Sequence, residues 1–403
     1  MTISDSSAQA GHADSYADFD HNDGSLGAED FRRRHDDMRE RCPIAHSQAH
    51  GGFDVISRYD DVRAVLSSAS NFSSADGVFI PPTGLPPVAA MEFDDPEHKM
   101  WRKLMEPPLT VRAVRAFEPV IVEIVDALID DFAGAGVADL VHDLAEPLPS
   151  LVVGRVGGLD HGASLRAREV ASSLFAALGS PEFAERMDEF SAFVDGQLDE
   201  RRAHPRDDFL TQVASGVVDG VTVDSEGATG LLIAYLLGGH HSTGSSIAFL
   251  FRELLSRDAV RSSVRSDPKL LAKAVEESLR LNTPLQYFAR TALGDVELET
   301  GGVPRGRRVL VDLAAANRDP RQFENPDDFD LERRRNPHVA FGAGGHVCLG
   351  QHLARAEIRV AISRVLERLP DVALSGAAPE VVVGGKLLTT ATLPVTFTPE
   401  VAP

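Results

Sequence analysis

Cys348 stands in the segment FGAGGHVCLGQHLARAEIRVAISRVLERLP, with Gly342, Gly344 and Gly345 before it and Gly350 after it. The residues that follow place Ala354, Ile358, Ala361, Val365 and Leu369 on one helical face, and Pro370 stops the helix. A cysteine at this point sits just before a helix N-terminus, where the macrodipole and unpaired backbone N–H groups favour a thiolate. The flanking glycines let the backbone approach a flat cofactor, and their N–H groups can bond the sulfur. A thiolate ligand is therefore one use of this residue. A lone packing cysteine beside a turn is the other.

Three further groups carry charge at helical spacing. His98 and Arg102 in DDPEHKMWRKLM are four residues apart, and Glu277 and Arg280 in EESLR are three apart, so each pair shares a helix face. Taken alone, the first is an exposed basic face and the second a solvated ion pair. His240 and His241 are adjacent in GATGLLIAYLLGGHHSTGSSIAFLFRELL. Neighbours on a helix point about 100° apart, so the two rings cannot easily chelate one ion together. Gly238 and Gly239 in the same helix cost about 2 kcal/mol relative to alanine, which calls for a packing or functional reason.

The elements that must position these groups are mostly helical. VRAVRAFEPVIVEIVDALIDDFAGAG, SPEFAERMDEFSAFVDGQLDERRAHP and DPKLLAKAVEESLRLNTP each show apolar spacing of three and four between start and stop signals. Short strands are predicted in FDVISRY, at Val296–Leu298 with RRVLVDL as hairpin partner, and around Leu393, Val395 and Phe397. The predicted fold class is mainly α (α+β), a single large helical domain with small peripheral β-sheets over residues 26–403. Residues 1–25 are polar, acidic and predicted to form a disordered tail. The chain has 403 residues, a net charge of −21 and 43% hydrophobic residues, values of an ordinary globular protein. The acidic balance argues against nucleic-acid or anionic-membrane partners. No apolar run approaches the ~18 residues of a membrane span, and the N-terminus does not read as a signal peptide. With two cysteines, Cys42 and Cys348, a disulfide framework is excluded and a cytoplasmic location is expected.

The complete string F-G-x-G-x-H-x-C-x-G, carried by Phe341, Gly342, Gly344, His346, Cys348 and Gly350, resembles the haem-binding loop of the cytochrome P-450 superfamily. Glu277 and Arg280 match the family's E-x-x-R ion pair, with Arg333 as the third member. DDPEHKMWR resembles the family's D-P-P-E-H-x-x-x-R segment, with Asp95 where the first proline is usual. The long glycine-containing helix resembles the distal helix, usually A/G-G-x-acid-Thr-Thr. Gly238, Gly239 and Thr243 match, while His241 replaces the acid and Ser242 the first threonine. The likeness runs in order over about residues 28 to 400, and no flavin or iron–sulfur segment accompanies it.

The resemblance implies a soluble bacterial type of haem-thiolate monooxygenase with haem b as cofactor and Cys348 as the axial ligand, a thiolate being suited to O–O cleavage. It implies that His98, Arg102 and Arg290 hold the haem propionates, as cationic donors suit a buried dianion. His241, Ser242, Thr243 and Gly239 fall where the family manages protons. The substrate pocket is expected at Val78, Phe79, Ile80, Ile233, Leu237, Leu285 to Phe288 and Leu387–Leu388, largely apolar residues that core packing explains equally well. Electrons are expected from a ferredoxin or flavodoxin-like donor, docking near Arg112, Arg115, Arg355 and Arg359. The expected reaction inserts one oxygen atom of O2 into a C–H or C=C bond of a hydrophobic molecule. One alternative keeps the fold and performs oxidative coupling, rearrangement or peroxide-driven oxidation. The other is a non-catalytic haem or ligand sensor.

Overall fold

Segments whose apolar residues recur every three or four positions fold as helices in the computed structural model, which describes residues 16–400 apart from 178, 179, 219, 378 and 385. About 53% of the structure is helical, so the chain is mainly α with small sheets. The helices of nine residues or more are α1 (Ala28–Arg41), α2 (Tyr59–Ser67), α3 (Glu97–Met105), α4 (Val111–Ala133), α5 (Pro147–Gly157), α6 (His161–Ala176), α7 (Phe183–Ala203), α8 (Ser225–Leu255), α9 (Asp258–Ser266), α10 (Pro268–Leu281) and α11 (Gln351–Arg368). Their ends follow local chemistry. The Thr110 side chain accepts from Ala113 N at the start of α4, and Asp224 accepts from Gly227 N at 2.8 Å at the start of α8. Among the described residues no helix is long and apolar enough to cross a membrane.

The chain divides into two compact units, Met1–Pro82 with Glu276–Cys348 and Val381–Thr389, and Thr83–Val275 with Leu349–Glu380 and Thr390–Pro403. The first is built on a sheet of β1 (Ile44–Ser47), β2 (Phe53–Ile56), β3 (Phe72–Ser73), β4 (Tyr287–Ala292) and β5 (Arg308–Asp312), in the order β1-β2-β5-β4-β3. β5 runs parallel to β2, with Leu310 opposite Val55, and antiparallel to β4. Strand period two sends Val309 and Val311 into one core with Tyr59, Val62 and Phe323. Leu310 enters the other, with Phe19, Phe31, Phe53 and Tyr287.

Three expectations change here. Val296–Leu298 pairs with Gly301–Val303 and not with RRVLVDL, because Asp61 holds the intervening turn through Glu299 N and Thr300 Oγ1. RRVLVDL is apolar on both faces and takes the buried middle of the sheet as β5. Tyr59, at the end of the first predicted strand, instead opens α2. Residues 1–15 of the expected tail lie outside the described residues, but residues 16–25 pack. Tyr16, Phe19 and His21 are buried, and Ser47 Oγ donates to Phe19 O at 2.6 Å. Aromatic groups in an otherwise polar segment found a core to enter.

In the second unit α8 packs against α5, α6, α7 and α11, and α11 packs against α4. α8 is buried over residues 228–236 and 243–251, as a helix apolar all round must be. α5 ends at Gly158, whose φ is +103° and whose added Cβ would lie 2.6 Å from Asp208 Oδ2. Arg201 fixes that carboxylate at 2.9 Å and also donates to Gly158 O. Gly158→Ala is therefore expected to cost about 1–3 kcal/mol, read as a lower urea midpoint at unchanged m value. An unshifted midpoint would show that this corner relaxes freely.

Candidate active site

The loop around Cys348 is held by backbone bonds that glycine makes accessible. Gly342 N donates to Val339 O at 2.8 Å, Val347 N to Gly344 O at 3.2 Å and Cys348 N to Phe341 O at 2.8 Å. Gly342 has φ +72° and Gly344 φ +69°. A Cβ on Gly344 would sit 2.6 Å from Leu66 O and from Ser67 Cα, so only glycine lets the loop lie against α2. His346 Nε2 lies 3.3 Å from Ser74 Oγ, and Phe341 stands beside the His338 ring. Cys348 is half-buried three residues ahead of α11, with Gly350 at the N-cap. The other thiol is a poor ligand. Cys42 Sγ donates to Ile44 O, and burial pushes its pKa up.

Glu277, Arg280 and Arg333 meet in the first unit. Arg280 is fully buried, and its five N–H groups all find acceptors. Nε and Nη2 reach the Glu277 carboxylate at 2.9 and 2.7 Å. The rest reach Asn317 O, Pro326 O and Asp328 O at 2.9, 2.6 and 3.0 Å. Arg333 Nε approaches both Glu277 oxygens at 3.2 and 3.1 Å. Sequence reasoning missed Asn336, which donates to Glu277 at 3.1 Å, and Phe323, whose ring lies 5.2 and 5.9 Å from the two guanidinium carbons. It also missed Asn317, which donates to Thr283 Oγ1 at 2.8 Å and accepts from Val339 N at 2.7 Å. Asn317 and Phe323 lie in ANRDPRQF, which carries neither helical nor strand periodicity.

His98 and Arg102 lie one turn apart on α3 in the second unit. His98 is buried, with Nδ1 3.3 Å from Asp95 Oδ1. Burial pulls its pKa down, with Asp95 opposing the shift. Arg290 is on β4 of the first unit, also buried, with Nη1 donating to Ala289 O at 2.7 Å.

The middle of α8 separates its residues by role. A Cβ on Gly239 would stand 2.8 Å from Val153 on α5, and one on Gly244 2.7 Å from Ala145 O, so these two glycines permit close helix packing. Gly238 is exposed between buried Leu236 and His240, with nothing within 4 Å of its Cβ position. His240 is buried and bonds Ser150 Oγ of α5, a partner not foreseen from sequence. Burial drops its pKa to about 3, so the ring is neutral. His241 stacks on Phe175 of α6, centroids 5.5 Å apart, and burial lowers its pKa against the opposing charge of Glu146. Ser242 Oγ donates to Gly238 O at 3.4 Å, and Thr243 is buried.

Residues expected to line the pocket cluster in the first unit. Phe79 stacks on Phe288 at 6.1 Å, Ala289 N donates to Val78 O at 2.7 Å, and Leu285 pairs with Leu387. Ile80 is buried, Leu388 N donates to Pro284 O, and the missed Lys386 places Nζ 3.9 Å over the Phe79 ring. Ile233 is buried on α8, while the side chain of Leu237 lies outside the described ones. In the second unit Arg359 pairs with Glu118 at 2.6 Å, Arg355 bonds Gln351, and Arg112 and Arg115 are exposed on α4.

Over 358 residues the chain is 37% identical to nocardicin C N-oxygenase of Nocardia uniformis subsp. tsuyamanensis, a match spanning 85% of this chain and 89% of that one. A family model for cytochrome P450 matches residues 181–381. The chain belongs to the cytochrome P450 family. It is also 32% identical over 344 residues to a steroid C26-monooxygenase of Mycobacterium tuberculosis (strain CDC 1551 / Oshkosh), covering 84% of this chain and 91% of that one. Its fold matches that of cytochrome P450 CYP109Q5 from Chondromyces apiculatus with a TM-score of 0.85 at 27% identity, covering 96% and 100% of the two chains. This P450 is accordingly a monooxygenase of a haem-dependent family.

In the first unit, the thiol of Cys348 in its glycine-built loop fits a thiolate ligand for haem iron. Arg290 is buried in the first unit, and His98 is buried one turn from Arg102 in the second. The Glu277 cluster supports the chain that leads to the loop. Glu277→Gln leaves two buried guanidinium groups short of their counter-charge, and a loss of about 3–5 kcal/mol is expected in chemical denaturation. A loss under about 1 kcal/mol would demote the cluster to a surface-like ion pair.

Proposed function

We propose that this P450 transfers one oxygen atom of O2 to a hydrophobic small molecule, using haem b held by Cys348 and electrons from a separate ferredoxin or flavodoxin-like protein. The observation that carries the reading is Cys348, presented by a glycine-built loop directly before an 18-residue helix. When bound, the haem supplies reductive activation of O2, with the cysteine thiolate donating electron density to the iron. Loop N–H groups and the N-terminus of α11 keep the sulfur ionised. His98, Arg102 and Arg290 hold the propionates. Val78, Ile80 and the Phe79–Phe288 pair exclude water and orient an apolar ligand. Arg112 and Arg115, exposed on α4, offer an acidic donor protein its docking charge.

Protons are assigned to His241 and Ser242. His241, whose pKa burial lowers, can take a proton at one ring nitrogen and release one from the other. Ser242 Oγ is a donor and acceptor in place of the family's threonine, and it can swing from Gly238 O to pass a proton onward. A second reading keeps the haem-thiolate centre but uses peroxide, or performs coupling or rearrangement. It is favoured by the stacking of His241 on Phe175 and the return of the Ser242 hydroxyl to its own helix.

The reduced, CO-bound protein is expected to show the thiolate-type Soret band. Cys348→His should lose it and Cys42→Ser should keep it, and the thiolate assignment fails if Cys348→His retains that spectrum. Ser242→Ala is expected to raise peroxide release per electron pair. His241→Ala should slow reductase-driven turnover while sparing peroxide-driven turnover. Parental coupling and rate in both variants would favour the second reading.

A further inference from the structure

We propose that Asp20, His21 and His50 form a binding site for a divalent transition-metal ion of the Zn2+ class, built from residues that the haem-thiolate chemistry does not use. One carboxylate oxygen and two imidazole nitrogens there all lie within 4.8 Å of one another. Asp20 Oδ1 is 2.9 Å from His50 Nε2 and 3.9 Å from His21 Nδ1. Donors around a tetrahedral zinc are about 3.3 Å apart, so these spacings bracket the required one.

The decisive observation is His21. It is 2% exposed, and its Nδ1 is buried without a hydrogen-bond partner. A buried ring nitrogen left in this way is costly unless something fills its lone pair. The ring is fixed edge-on by Phe53, Tyr287 and His50, at 5.4, 5.6 and 5.8 Å. Binding at Nδ1 places the ring proton on Nε2. Asn22 Nδ2, 3.2 Å from Nε2, then gives up that contact and keeps its bond to Ile80 O at 3.1 Å.

The other two ligands are held for the same geometry. The Asp20 carboxylate is oriented by Asn22 N, which donates to its Oδ1 at 2.8 Å. His50 projects from a tight loop with φ +51°, followed by Gly51 and Gly52 at +89° and +95°. Asp20 and His50 reach solvent, which leaves a fourth position to water, as in open three-ligand zinc sites. Two nitrogens and one carboxylate suit Zn2+ and its neighbours and not Ca2+ or Mg2+, which take mainly oxygen. Lys386 adds positive charge nearby, so the affinity should be moderate.

The test uses the full-length holoenzyme, stripped with chelator and dialysed against Zn2+ at pH 7.5, with bound zinc counted by mass spectrometry. One zinc per chain is expected at micromolar free Zn2+. His50→Ala and Asp20→Asn change partly exposed residues, and each should weaken binding about tenfold or more. His142→Ala, an exposed histidine elsewhere, should not. Zn2+ should also raise Tm in the parent and not in His50→Ala. The proposal is overturned if the parent binds no stoichiometric zinc, or if both His50→Ala and Asp20→Asn keep parental affinity.

Discussion

A fully buried guanidinium must have its charge opposed and every N–H bonded, and the first unit is arranged around meeting that demand for Arg280. Glu277 opposes the charge from one turn away on α10. The remaining N–H groups need three backbone carbonyls, which come from Asn317, Pro326 and Asp328. A segment without regular secondary structure is thereby tied down at three points along its length. Asn317 then carries the constraint forward, since its side chain accepts from Val339 N a few residues before the cysteine loop. The loop's position is inherited from a helix more than sixty residues upstream. Such a cluster fixes one conformation, which a purely apolar contact of the same area would define less sharply.

α8 has to satisfy neighbours on every side, and its central residues divide the task in steps of about 100°. Gly239 and Gly244 give up side chains so that α5 and the residues before it can approach. His240 turns to Ser150 on α5, while His241, one step on, turns to Phe175 on α6. Adjacent histidines that could suggest a metal site thus serve two separate contacts. What packing leaves unexplained is Gly238, which is exposed with nothing within 4 Å of its Cβ position.

The helices, their stops and the cysteine loop were legible because each rests on local rules: 3.6-residue periodicity, caps, and a fixed multi-residue string. The Glu277–Arg280 spacing was equally legible. Its burial was not, since a three-residue spacing says nothing about which face is covered. The partners of His240 and His241 were hidden for a related reason, because Ser150 and Phe175 lie on helices 90 and 66 residues away. The strand RRVLVDL was read as a hairpin arm because its neighbour in sequence was a strand, yet its true partners β2 and β4 are set by both of its faces being apolar. Residues 16–25 were read by composition, which dilutes three aromatic rings among polar neighbours, while folding responds to each ring separately.

Those rings connect the N-terminal segment to the expected substrate side of the first unit. Tyr287 OH bonds His35 Nε2, and His35 Nδ1 lies 3.1 Å from Asp312 Oδ2, all in the buried interior. Asp312 also caps a helical turn through Ala315 N at 2.8 Å. Tyr287 is therefore held at both its backbone and its hydroxyl, and His21 packs edge-on against its ring. The next residues of β4 reach the pocket segment directly, Phe288 by stacking on Phe79 and Ala289 by bonding Val78 O. Asn22 reaches it as well, through Ile80 O. Residues 20–22, β4 and residues 78–80 thus share a few direct contacts with little slack between them. An ion bridging Asp20 and His21 to His50 would fix the N-terminal segment to the Ala49–Gly51 loop and stiffen the support beneath residues 78–80. Its influence on ligand binding would follow from packing alone, with no contact between the ion and the ligand.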